Sequence, residues 1–121
     1  MSDFSNNIRP FVETEFTLAI QARLNDDVIK EFTHLENAHV LGQESTVLHV
    51  RAHYLMLCWA IRNVEWKETL GQLFRIAGAA TKTAFGLIPH GNTGGSNVSP
   101  FRALPLKPEH AAIINSARDN T

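Results

Sequence analysis

From residue 9 to about residue 88 the apolar side chains recur at intervals of three and four rather than two, which predicts consecutive amphipathic helices and no strands. Pro10 suits a first helical turn, where its missing N–H is not needed, and the helix that it opens is expected to run to about Leu24. Asn25-Asp26-Asp27 breaks that helix and caps the next, which carries Val28, Ile29, Phe32, Leu35, Ala38 and Leu41 as far as Gly42, read as a C-terminal stop. Gln43-Glu44-Ser45-Thr46 forms a turn, with Ser45 or Thr46 as cap of a third helix through Ile61 or Arg62. A fourth helix begins near Val64 and follows Trp66, Leu70, Leu73, Phe74 and Ala77 to about Phe85.

After Ile88 the pattern stops. PHGNTGGSNVSP is rich in glycine, proline and small polar residues and reads as a loop. The prolines of FRALPLKP hold it extended, and Glu109 to Ala117 forms a short terminal helix. Short connections make sequential helices antiparallel. The expected fold is therefore all-α: four antiparallel helices as two stacked hairpins or an up-down bundle, with an irregular C-terminal segment. Residues 1–121 form one domain, with a helical body over 9–88 and a Gly/Pro-rich segment over 89–121.

Placing residues at about 100° per step shows where the ionisable groups fall. On the first helix Ile8, Phe11, Val12, Leu18, Ala19 and Ala22 make one stripe with Glu15 at its centre, while Glu13 points away. On the second the stripe continues through Glu36, His39 and Gln43, with His34 on the opposite side. On the third, His49 and His53 lie one turn apart beside Val50, Met56, Leu57 and Ala60. Three helices thus aim ionisable groups along faces that ought to be core. A buried carboxylate without a partner costs several kcal/mol, of order 5, or becomes neutral. A divalent cation offers one explanation for all three, since it pairs the carboxylates and takes the histidines in their neutral form. Residues three or four apart on a helix can reach the same ion. The alternative is a metal-free, water-filled network of Glu15, Glu36, His39, Gln43, His49 and His53.

Composition narrows the remaining choices. With Lys+Arg 11 and Asp+Glu 12 the net charge is -1, so no bulk positive field favours nucleic acid. No apolar run reaches the roughly 20 residues of a membrane span, and the first residues lack the blocks of a signal peptide, which points to the cytoplasm. The single cysteine excludes an intramolecular disulfide and an all-thiolate zinc site. Cys58 is read as a packing residue, and His34, His90 and His110 as surface or loop residues. GNTGG lacks the Lys and following helix of a phosphate-cradling loop.

The motifs HLENAHVLGQ, HVRAHYLML, GQLFR and KTAFGLIPHGNTGGSNVSPFRALP stand in order along nearly the whole chain. In these the sequence resembles a bacterial family of short proteins known only as a domain of unknown function. The family pattern has an arginine where Asn37 stands. It carries the equivalents of Glu36 and His39, of His49 and His53, and of Gly71, Gln72 and Arg75. The resemblance implies a small helical bacterial protein and brings no established activity. The ferritin-like di-iron pattern is the nearest chemical analogy. Here the second half of that pattern is missing, so one ion is expected, held by Glu36, His39, His49 and His53 with Glu15 as fifth group. Zinc leads among the candidates, followed by iron or copper. An open coordination position would favour a hydrolytic or oxidative enzyme with Glu15 or Glu36 as base. A closed one favours a binding or interaction module, which is the preferred reading because no nucleophile constellation is present.

Trp59 and Trp66 with Leu48, Leu55 and Leu73 supply more apolar surface than four helices of this length readily cover. Either Phe101, Leu104, Leu106, Ile113 and Ile114 fold back over it, or a homodimer covers it.

Overall fold

The computed structural model describes residues 3–84 and 105–119, in five helices: α1 Asp3–Leu24, α2 Val28–Gly42, α3 Thr46–Arg62, α4 Trp66–Ala84 and α5 Pro108–Asp119. The fold is all-α, as the periodicity predicts. The expected loop at GNTGG, and with it His90, Phe101 and Leu104, lies outside the described residues. Among those described, no helix is long and apolar enough to cross a membrane.

α1 packs on α2 and α3 on α4, and the two hairpins meet through α2 and α3. Among the described helices α4 touches α3 alone, so the pairing is that of stacked hairpins. Ile8, Val12, Phe16 and Ala19 of α1, Leu35, Ala38 and Leu41 of α2, and Leu48, Ala52, Met56 and Trp59 of α3 form the core. The seam between hairpins adds specific links. Phe32 stacks at 4.4 Å on Trp59, whose indole N–H donates to the Val28 carbonyl at 3.0 Å. Arg62 forks onto the buried Glu31 at 2.7 and 3.3 Å, and Arg51 pairs with Glu13 while lying over the Phe16 ring.

Both hairpins turn in the same way. Asp27 N–H reaches back to the Ala22 carbonyl at 2.9 Å and Glu65 N–H to the Ala60 carbonyl at 2.8 Å, the long bond of a Schellman motif. The residue just before each takes the left-handed conformation, Asp26 at φ 57 and Val64 at φ 56. Asp tolerates it, whereas a β-branched residue is strained there by about 1–2 kcal/mol. Asp27 then caps α2 by accepting from Lys30 N–H at 3.1 Å.

Several expectations are corrected. α1 starts at Asp3, so Pro10 lies within it on the exposed side. Gly42 ends α2, but the residue after it is still right-handed at φ -58. Its value is closeness instead: a Cβ at Gly42 would stand 2.9 Å from Leu48 Cβ and 3.4 Å from Val12 Cγ2. Ser45 occupies the cap position of α3 without making a side-chain cap bond. α5 packs on α1 and α2, burying Ile114 and Ala117 there, and Asn7 Nδ2 donates to the Ala117 carbonyl at 3.1 Å. It does not cover α4. Leu48 and Trp59 are already core residues, whereas Leu73 is exposed.

Candidate metal centre

His39 on α2 and His49 and His53 on α3 come together at the seam between the hairpins, all three buried. Their Nε2 atoms form a nearly equilateral triangle: His39 to His49 2.9 Å, His39 to His53 3.1 Å, His49 to His53 3.2 Å. One turn of α3 separates its two histidines, and α2 brings the third across the seam. The rings are mutually tilted, with centroids 4.6–4.9 Å apart, so only the nitrogens converge.

α4 orients one of the three rings. Gln72, fully buried, donates through Nε2 to Glu68 Oε2 at 2.7 Å, which leaves its carbonyl Oε1 facing His53 Nδ1 at 2.6 Å. A carbonyl only accepts, so the His53 proton sits on Nδ1 and a neutral ring offers its Nε2 lone pair to the cluster. Carboxylate to amide to histidine is the kind of outer support that fixes a metal-ligating ring. Arg75 is buried on the same helix: burial pulls its guanidinium below the ordinary value, and the Glu68 carboxylate works in the opposite direction.

The three histidines read from the sequence are thus brought together; the two glutamates are placed differently. Glu15 accepts from the His34 ring at 2.7 Å and from Asn37 Nδ2 at 3.3 Å, so its carboxylate serves the α1–α2 contact. His34, expected on the surface, is that partner and is half-buried. Glu36, one turn before His39, lines a groove of about 100 Å³ with Thr33, Asn37, Val40, Leu106, Lys107 and His110. Neither glutamate belongs to the cluster of converging ligand atoms among the described residues. His110 is also corrected: it is buried against α1 and α2, where desolvation and then the Lys107 charge hold its pKa below the usual histidine value, opposed by Glu109 and Glu15.

Gln72 and Glu68 escape a search for ionisable groups along apolar stripes because they lie on the polar side of α4, opposite its apolar face. That apolar face points outward. Leu70, Leu73 and Phe74 are exposed, while Thr69, Gln72 and Arg75 are buried. The signal was present in the spacing of Glu68, Gln72, Arg75 and Ala79, which recur at four, three and four along one face.

Residues 6–114 match the family described as "Protein of unknown function (DUF3703)", and the chain belongs to that family. No curated protein and no solved structure matches it.

Proposed function

We propose that this protein binds one transition-metal ion through Nε2 of His39, His49 and His53, and that the ion clasps the two hairpins at their seam. The supporting observation is the nitrogen triangle. Each Nε2 either carries a proton or presents a lone pair, so of three nitrogens in mutual contact at least two share the same state. Without a cation, one pair therefore sets N–H against N–H or lone pair against lone pair at 3.2 Å or less. A cation takes all three lone pairs at once. In a tetrahedral site with bonds of about 2.0–2.1 Å the nitrogens stand about 3.3–3.4 Å apart, so a few tenths of an ångström of spreading suffice.

Three imidazoles suit zinc first, with iron and copper as the other ions that this donor set serves. The buried setting and the supporting Gln72–Glu68 pair favour an ion that is held, in a structural or metal-handling role, over catalysis. Elemental analysis of protein purified without an affinity tag, followed by melting with and without chelator, tests this. The expected result is about one equivalent of metal and a melting temperature that rises on adding zinc. Binding at a free concentration a thousand times Kd adds about 4 kcal/mol, and His39→Ala removes that increment. Metal-free protein whose melting is unmoved by zinc, iron or copper would instead establish the polar network.

A further inference from the structure

α4 is amphipathic in the reverse sense from the other helices of the body. Its buried side carries Thr69, Gln72 and Arg75, and its outer side carries Leu70, Leu73 and Phe74, exposed by 67%, 52% and 71%. Because α4 packs on α3 alone among the described helices, no described helix covers that stripe. α5, the other described helix near enough in the chain to return, sits on α1 and α2 instead.

The order of residues along the stripe points to its occupant. In the sequence the exposed Leu70 and Leu73 belong to a series, Trp66, Leu70, Leu73, Ala77, Ala80 and Ala84, spaced by four, three, four, three and four, the heptad spacing of a two-helix contact. The series is large at its N-terminal end and small at its C-terminal end. A parallel pairing of two such helices sets large against large and small against small. An antiparallel pairing about a two-fold axis near residue 75 sets Leu73 opposite Ala77, Leu70 opposite Ala80 and, by register, Trp66 opposite Ala84. Every pair is then one large and one small residue, which is how facing layers fill space without voids. An isologous interface demands such self-complementarity.

We infer that a second copy of this chain docks on the outer face of α4, antiparallel, with Leu70, Leu73 and Phe74 as its anchors. The apolar side of α4 thus serves association while its polar side supports the histidine cluster. The inference does not require that the cluster hold a metal.

Light scattering of the full chain across micromolar concentrations is the first measurement, with a dimer expected. Leu73→Glu combined with Phe74→Glu changes only exposed positions and is expected to give a monomer whose helical circular dichroism is unchanged. Orientation is read by cysteine crosslinking in a Cys58→Ser background. Leu73→Cys with Ala77→Cys is expected to form disulfide-linked dimers under mild oxidation, and Leu73→Cys alone is not. A monomer at high micromolar concentration, or a dimer that survives the double glutamate variant, overturns the inference. Efficient crosslinking of the single Leu73→Cys variant overturns the antiparallel arrangement.

Discussion

The two hairpins are built on the same turn and loaded in opposite ways. In α1–α2 the apolar stripes face each other, and the carboxylate that lies on the stripe, Glu15, is satisfied within the hairpin by His34 and Asn37. In α3–α4 the inward side of the second helix is polar, and its buried glutamine reaches across to a histidine that belongs to the seam. The first hairpin is held by burial of its own apolar surface. The second gives up part of that burial to support a cluster of ring nitrogens, and leaves apolar surface outside. Hydrophobic periodicity identifies a helix and its two faces, but it does not say which face turns inward when the polar one has a buried partner to serve.

Substitutions at matched places in the two hairpins separate these roles. In the metal-free chain the largest effect on folding is expected at Gly42→Ala, where the added Cβ would meet Leu48 Cβ at 2.9 Å. Neither atom is the far end of a flexible side chain, so α2 and α3 must part. A loss of about 1–3 kcal/mol is expected from urea unfolding, together with weakened metal binding, because the same seam carries the histidines.

Glu68→Gln tests whether α4 supports the metal site. Replacing the charged acceptor of the Gln72 amide with a neutral amide oxygen weakens this support and is expected to lower metal affinity by about 10-fold, the low end for loss of outer-shell partners, with helical content retained. The control is Glu15→Gln in the first hairpin, which should leave metal affinity unchanged. Equal losses from both would show that the two glutamates act on the site alike, and the contrast between hairpins would fail.

A smaller effect concerns α5. The buried ring of His110 resists protonation, so its pKa in the folded chain lies below that in the unfolded one. The unfolded chain therefore binds more protons as pH falls below the ordinary histidine value of about 6.5. This contribution to stability is complete above that value and is lost as pH falls toward the lower folded value. His110→Phe should flatten the decline between pH 7 and 5 in denaturant midpoints measured with chelator present, which removes the metal's own pH dependence.

The smallest effect is expected at the turns and has the opposite sign. Val64→Gly relieves the left-handed strain at φ 56 and should stabilise the chain by about 0.5–1 kcal/mol after the added chain entropy is counted. Asp26→Gly at the equivalent turn should change stability by less, since Asp tolerates that conformation. The two thermal shifts, compared directly, show whether the turns are equivalent in energy as they are in geometry.

The amino-acid sequence alone determined the helical class, the breaks at Asn25-Asp26-Asp27 and near Ser45, and the three histidines at intervals that share a face. These are local properties: side-chain period, backbone preference and capping act within a few residues of one another. Glu15 and His39 looked equivalent at that level, because each interrupts an apolar stripe. Only the tertiary structure separated them, by placing His34 and Asn37 within hydrogen-bond reach of the glutamate and two further imidazoles around the histidine. The role of Gly42 was likewise invisible, since its close neighbours Val12 and Leu48 come from other helices. The inward turn of the polar face of α4 was decided there too. A helix's own periodicity gives the direction of its apolar side relative to its axis, whereas its orientation depends on what the opposing helix offers. Here α3 offers His53 to Gln72.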